Sequence, residues 1–278
     1  MTALAQSTAV VVVNYGTAAL TARAVASVAP EPDVAEIVVV DNASGDGSVD
    51  HLKRDITDQR VRIVESPRNV GFGQGVNLGV NACTSPLLLL LNSDATLVAG
   101  SLARLVGALL TDESVGVVAP AVYGPDGRDL QPGAHGVFPT LGTIVRRTNT
   151  RPPETLSPDW VSGVAMLLRR SDFESVGGFD PEFEMYLEDV DLCRRLRLAG
   201  KEVRRELAAG VVHTGNQSWD SFTVALGLAH RSRVAYFRKA GLPVGQRLAV
   251  EAIRLGHLTL QRTPLRRSFP GRREATTA

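Results

Sequence analysis

The sequence predicts an α/β protein: a doubly wound, mostly parallel sheet flanked by helices, with further helices at the C-terminal end. Two observations carry this. Four short apolar runs, Ala9–Val13, Ile37–Val40, Val61–Val64 and Leu87–Leu91, read as strands buried on both faces. Helical patterns over Thr17–Val28, Ser48–Asp55 and Gly75–Cys83 lie between them. Such alternation folds through right-handed crossovers into a parallel sheet. Ligands of these sheets sit beyond the carboxyl ends of the strands. The polar residues closing each run are therefore the ones to read for function.

Each element has its local reason. Ala9–Val13 is mostly β-branched and stops at Asn14-Tyr15-Gly16, and Ile37–Val40 stops at Asp41-Asn42. After Val115–Ala119 the texture changes. Tyr123–Phe138 holds Gly124, Pro125, Gly127, Pro132, Gly133 and Gly136, a loop or hairpin around a Pro-Asp-Gly turn. Trp160–Leu168 reads as one strand, and a helix runs from about Asp189 to Ala199, where Gly200 stops it. Val211-Val212 is a short strand. Ser221–Lys239 and Pro243–Gln261 are helical, and Arg266–Ala278 is expected to be disordered. No internal repeat is visible.

With 278 residues, 44% of them hydrophobic and 21% charged, the chain is neither disordered, collagenous nor a coiled coil. A net charge of +1 gives no general case for nucleic acid as a partner. The balance hides an asymmetry: 14 of the 30 Lys/Arg but only 5 of the 29 Asp/Glu lie from Lys201 onward. That basic part suits phosphates or an anionic membrane face, or is a solvated helix surface. Cys83 and Cys193 have no metal-binding spacing, and free thiols fit a reducing cytoplasm. Met1–Ala9 has no basic residue, so no signal peptide is expected. Leu87–Leu91 is far too short to span a bilayer.

Four polar clusters close four strands: Asn14-Tyr15, Asp41 to Ser44, Asn69 to Gly73, and Asn92-Ser93-Asp94. Each alone is an ordinary turn. Together on one sheet edge they make a pocket for a polar ligand. The glycines at 71, 73 and 75 do not follow G-x-G-x-x-G and do not emerge directly from a strand, which disfavours a dehydrogenase. Their turn still offers backbone N–H groups to an anion. No Walker loop exists. Asp94, after the most apolar strand, is costly unless hydrated, paired or bound to a cation such as one bridging to a diphosphate; capping the next helix is the plain alternative. Glu188, Asp189 and Asp191 open a helix, where the macrodipole favours anions. Three crowded carboxylates also repel, which raises one pKa toward a general base's range. His213 at a strand end is structural unless Asp94 partners it.

The ordered set Val11–Tyr15, Val38–Ser48, Asn69–Asn77, Leu90–Asp94, Trp160–Arg170, Gly177–Phe183 and Leu187–Arg195, followed by Val211–His213, resembles family 2 glycosyltransferases of the GT-A fold. More narrowly, it looks like their bacterial rhamnosyltransferase-like branch. Single motifs are weak, and their order makes the match specific. The resemblance implies a catalytic domain over 1–215, with a nucleotide half at about 8–120 and an acceptor half at about 121–215. A helical extension over 216–265 and a tail over 266–278 come after it.

By the same resemblance, Asn14 and Tyr15 line the base and ribose pocket. Asp41 bonds the pyrimidine, Asn42, Ser44 and Asp46 shape that loop, and Asn69, Gly71 and Asn77 flank the diphosphate. Asn92, Ser93 and Asp94 occupy the family's DxD motif, with Asn where the first acid usually stands. Asp94 and His213 hold Mg²⁺ or Mn²⁺, and Asp189 is the catalytic base. Trp160 with the Ser162-Gly163 turn reads as an acceptor platform, since aromatic rings stack on sugar faces. Glu188 and Asp191 are placed on the acceptor side as well, with capping or support of the base as the other role of Asp191. The implied reaction is inverting transfer of a sugar, best read as rhamnose, from a dTDP- or UDP-sugar to a hydroxyl of a glycan, a lipid-linked acceptor or a small molecule. The expected setting is cytoplasmic, with peripheral contact at the inner membrane face through the basic C-terminal part, or a homodimer through the last helices. A nucleotidyltransferase or a non-catalytic glycan-binding relative are the competing readings.

Overall fold

The computed structural model describes residues 7–140, 142–143, 151–215, 222–241, 243–246, 248–249 and 252. The first half is strand–helix alternation: β1 (Thr8–Asn14), α1 (Ala18–Val28), β2 (Val34–Asp41), α2 (Ser48–Asp55), β3 (Val61–Glu65), α3 (Phe72–Asn81), β4 (Leu87–Asn92), β5 (Ala95–Leu97), α4 (Ser101–Leu110) and β6 (Val115–Tyr123). The second half adds β7 (His135–Gly136), β8 (Trp160–Val161), β9 (Ala165–Arg169), α5 (Arg170–Ser175), α6 (Glu188–Leu198), β10 (Glu202–His213) and α7 (Phe222–Lys239).

Eight strands form one sheet in the order β3-β2-β1-β4-β9-β6-β10-β5, and β7 pairs with β8 apart from it. β1 to β4 are parallel, β9 runs antiparallel between β4 and β6, and β10 is parallel to β6. The expected mostly parallel sheet is present. Alternation along each strand feeds two cores. Val11, Val13, Val38, Val40, Leu88 and Leu90 face one layer, while Val10, Val12, Val39, Leu87, Leu89 and Leu91 face the other. The first layer contains α3, α6 and the end of α7. The second contains α1 and α4, through Ala24, Val25, Leu102 and Leu105.

Three sequence expectations change. Trp160–Leu168 is not one strand: a turn at Ser162–Val164 splits it, so β8 leaves the main sheet and β9 enters it. Val211-Val212 is only the end of the 12-residue β10, whose charged Arg204, Arg205 and Glu206 mask its apolar positions. α3 begins at Phe72, not Gly75. Its glycines serve packing: a Cβ at Gly75 would lie 2.8 Å from a Val13 methyl, and one at Gly79 would overlap Val11. Close helix-to-sheet approach needs the missing side chains. Cys83 and Cys193 are both buried and free. Among the described residues no helix is long and apolar enough to cross a membrane. Apart from 243–246, 248–249 and 252, the expected helix over Pro243–Gln261 and the tail over 266–278 lie outside the described residues.

Candidate active site

β1, β2 and β4 end level, because Asn14 stands opposite Asp41 and Val13 opposite Asn92. Register thus brings three polar clusters to one edge. A cavity of about 270 Å³ opens there, lined by Tyr15, Asn42, Asn69, Gly71, Asn92 and Ser93. The segment at Glu184 and Met185 and Leu228 of α7 close it from above. Asn42 holds the rim together: its amide N–H donates to Asn69 Oδ1 at 3.0 Å, and its Oδ1 accepts from Val70 N at 3.0 Å. Gly71 has φ 84°, and a Cβ there would overlap the Glu184 carbonyl. Only glycine lets the two loops meet.

A second cavity of about 470 Å³ adjoins the first, and Phe72, Asn92 and Met185 line both. Trp160, Ser162, Gly163, Glu188, Asp189, His213 and Arg233 are among its walls. The approach to α6 is strained, with Tyr186 and Leu187 both at φ 67°. Left-handed backbone costs about 1–2 kcal/mol for such residues, and strain of this kind gathers at functional sites. The turn delivers Glu188 and Asp189 to the cavity wall.

The two acids differ in their bonding. Asp189 Oδ2 accepts from Gly163 N at 2.9 Å and Oδ1 from Val190 N at 2.7 Å. Glu188 Oε2 is buried with no hydrogen-bond partner. Burial pushes both carboxyls up, and the neighbouring Asp189 charge adds to the rise of Glu188, which reaches about 8. Backbone donors favour a charged carboxylate. Of the pair, Glu188 therefore favours the neutral form more strongly, and Asp189, with its two backbone donors, is the better held as an anion.

On the other side, His213 Nδ1 lies 2.8 Å from Gln131 Oε1, an acceptor, so that nitrogen carries the ring proton. Nε2 then carries the lone pair; it accepts a long bond from Asn92 Nδ2 at 3.4 Å and lies 3.1 Å from Asp94 Oδ1. That oxygen is buried and lacks a hydrogen-bond partner. An unpartnered carboxylate oxygen beside an imidazole nitrogen fits a divalent cation that displaces the long Asn92 bond, and a histidine ligand whose other nitrogen is held is the usual arrangement. Among the described residues no cluster of three or more metal-ligating side chains occurs. A cation held here would complete its coordination from substrate or water.

The model of glycosyl transferase family 2 matches residues 9–177. The chain belongs to that family. An N-acetylglucosaminyl-diphospho-decaprenol L-rhamnosyltransferase of Mycobacterium tuberculosis is 32% identical over 191 residues, 59% of this chain and 61% of that protein, so the match spans about three fifths of the relative's length. Rhamnosyltransferase WbbL of Escherichia coli is 45% identical over 64 residues, 23% of this chain and 24% of its own. Among solved structures, the mannosyltransferase PcManGT of Pyrobaculum calidifontis, in complex with GDP-Man and Mn²⁺, superposes with a TM-score of 0.61 at 19% identity, over 90% of this chain and 70% of that one. The fold is the expected GT-A fold.

Within this family 2 chain, several expected site residues stand elsewhere. Asn14 is fully buried and does not reach the cavity. Its amide donates to Asp41 Oδ1 at 2.7 Å and Ser44 Oγ at 3.0 Å, and its Oδ1 accepts from Thr17 and Thr21. Asp41 is likewise turned inward, since Oδ1 also accepts from Ser44 Oγ at 2.6 Å and Oδ2 from Ser44 N. Asp46 accepts from Ser48 N at the start of α2. Asn77 lines neither cavity: both ends of its amide bond the Phe179 backbone, across 102 residues. Asp191 pairs with Arg195 at 2.7 Å, and Arg195 in turn donates to the Val176 and Gly178 carbonyls. Asp191 therefore braces the loop before α6, a supporting role, and lines neither cavity. Trp160 is buried, with Nε1 donating to the Val137 carbonyl, and gives the cavity only part of its surface.

Sequence reasoning missed Gln131 and Arg233, and gave Phe72 no role beyond its place in the Asn69–Gly73 cluster; the apolar stretch Phe183–Leu187 does supply Met185, Tyr186 and Leu187 to the wall beside Glu188 and Asp189. Gln131 sits in the Gly/Pro-rich hairpin, 82 residues from His213, and no local pattern joins the two. Phe72 lies inside a family motif, but only the structure turns it between the cavities.

Proposed function

We propose that this chain is an inverting glycosyltransferase. It moves a sugar, rhamnose from dTDP-rhamnose as the specific reading, from a nucleoside diphosphate to a hydroxyl of a glycan, lipid-linked or small-molecule acceptor. The observation that carries the reading is the divided site: a strand-end cavity sized for part of a nucleotide joins, across Asn92, a second cavity walled by the Glu188 and Asp189 carboxyls. Family membership supports glycosyl transfer. The rhamnosyltransferases of Mycobacterium tuberculosis and Escherichia coli support the sugar. The first of these names a lipid-linked diphosphate acceptor, which supports a surface-glycan role at the cytoplasmic membrane face.

In this reading Tyr15, exposed at the mouth of the first cavity, stacks on the base, while Asn42, Asn69 and Ser93 bond the nucleoside. Asn92, between the cavities, touches the donor near its diphosphate. Asp94 and His213 would hold Mg²⁺ or Mn²⁺, which supplies charge neutralisation to the leaving diphosphate. The acceptor hydroxyl lies in the second cavity. Asp189 takes its proton as the oxygen bonds the anomeric carbon from the face opposite the diphosphate, which departs with the electron pair. Gly163 N–H holds the base in place, and neutral Glu188 spares it a second adjacent charge. A general base of this kind contributes about 10²–10⁴-fold.

The test is a panel of sugar nucleotides, dTDP-rhamnose and UDP-sugars among them, incubated with Mn²⁺ and simple glycoside acceptors. Release of nucleoside diphosphate that depends on acceptor, with product of inverted anomeric configuration by NMR, is expected. A chain that binds no sugar nucleotide refutes the reading.

A further inference from the structure

Helix α7 carries four Lys/Arg residues, Arg231, Arg233, Arg238 and Lys239. Three of them clamp the helix onto the loop before α6: Arg231 pairs with Glu184 at 2.9 Å, Arg238 with Glu182, and Lys239 with Asp180. Ser232 Oγ adds a bond to the Met185 carbonyl at 2.5 Å. Arg233 is the exception. Among the described residues it has no carboxylate partner and no hydrogen bond, and it lines the second cavity together with Asn92, His213 and Asp189. Ala229, one turn earlier on the same helix face, lines that cavity too and leaves it open under the arginine.

A guanidinium half withdrawn from water without a counter-charge is unfavourable. Burial lowers the Arg233 pKa, and among the described residues no neighbouring acid offsets that. Neither Glu188 nor Asp189 is drawn down by it. A half-buried cation that lines a cavity and has no protein anion among the described residues calls for an anion supplied by the ligand. The planar fork of arginine matches phosphate oxygens two at a time.

We propose that Arg233 forms a diphosphate-binding subsite in the roof of the second cavity. This rests on the glycosyl-transfer reading above and adds to it the group that α7 contributes. A diphosphate reaches the cavity from two sources: the nucleotide of the donor, lying beside Asn92 and His213, or the ester of a diphosphate-linked acceptor. The chemistry recognised is the same.

The experiment titrates inorganic diphosphate, dTDP, UDP and thymidine into the wild type and into Arg233→Ala, Arg233→Gln and Arg233→Lys by calorimetry with Mn²⁺ present, with thermal melting as the folding control. In Arg233→Ala and Arg233→Gln, inorganic diphosphate, dTDP and UDP should each weaken at least about tenfold, thymidine should not change, and Arg233→Lys should fall between. Unchanged nucleotide affinity, with a raised KM for a farnesyl-diphosphate-linked sugar and an unaltered KM for an octyl glycoside, assigns the subsite to the acceptor and also supports it. Affinities and both KM values equal to wild type in a folded Arg233→Ala overturn it. A wild type that binds inorganic diphosphate through Arg233 but no nucleotide refutes glycosyl transfer and leaves the subsite standing.

Discussion

Replacing Glu188 by Gln tests the electrostatics of the acid pair most directly. In the folded chain the Glu188 carboxyl is raised from about 4.5 to about 8, by burial first and by the Asp189 charge second. Its pKa is thus higher folded than unfolded. Between those two values the native state holds a proton that the unfolded chain has released. Stability therefore falls as pH rises through the window, with no penalty below about pH 4.5 and a full one above about pH 8. For a single group the slope is at most ~1.4 kcal/mol per pH unit, and sharing of the charge with Asp189 brings the loss between pH 5 and 8 to roughly 2–4 kcal/mol. Gln keeps the shape of the neutral acid and cannot ionise. Urea midpoints of wild type and Glu188→Gln should agree at pH 5 and separate at pH 8, with the variant the more stable. Equal pH slopes for the two proteins would mean that Glu188 is already ionised at neutral pH, and the assignment of the proton to it would fail.

Asp189→Asn should lower kcat at least about a hundredfold while nucleotide affinity by calorimetry stays near wild type; a tenth of wild-type turnover would remove it as the base. Gly71→Ala forces a side chain into the Glu184 carbonyl at φ 84° and should cost roughly 1–3 kcal/mol in urea denaturation, with weaker nucleotide binding. His213→Ala and Asp94→Asn should each weaken Mn²⁺ binding measured by calorimetry, and Gln131→Ala should do so about 10- to 100-fold by freeing the imidazole, whereas full activity in excess EDTA would exclude a catalytic metal. The basic region from Arg247 onward should bring the protein down with anionic liposomes at low salt and release it at high salt; no binding at low salt ends the electrostatic idea.

The strand ends were legible because two local signals coincide there. Buried parallel strands are continuous apolar runs, and the turns that close them must be polar, so Asn42, Asn69, Asn92 and Ser93 stand out by position. The roles of the residues at that edge were less legible. Asn14 and Asp41 look identical in sequence to pocket residues, yet they spend their hydrogen bonds on each other and on Ser44. Asn77 and Asp191 lie in motif positions but bond segments that only the fold brings near. The strand at Glu202–His213 reads short in the sequence because an edge-side run of Arg and Glu hides the period-two pattern. In each case the deciding partner is distant along the chain.

The roof of the site is the extreme case, since its position depends on which interaction seats α7. The helix has little apolar periodicity, and its three ion pairs suggest an electrostatic clamp. Two of the three are exposed, Arg231 and Glu184 at 67% and 62% and Arg238 at more than half, whereas Lys239 and Asp180 are only 27% and 24% exposed. Exposed pairs contribute about 0–1 kcal/mol each. Tyr236 and Phe237, by contrast, are 2% and 0% exposed and meet edge to face at 5.5 Å. Burying two such rings contributes roughly 2–3 kcal/mol apiece. The aromatic pair therefore holds the helix down, and the ion pairs set its register against the loop that carries Glu184 and Met185. That division of labour leaves Arg233 without a partner among the described residues: with Asp180, Glu182 and Glu184 each taken by another cation, no acid of that loop remains to satisfy it, and it lines the second cavity.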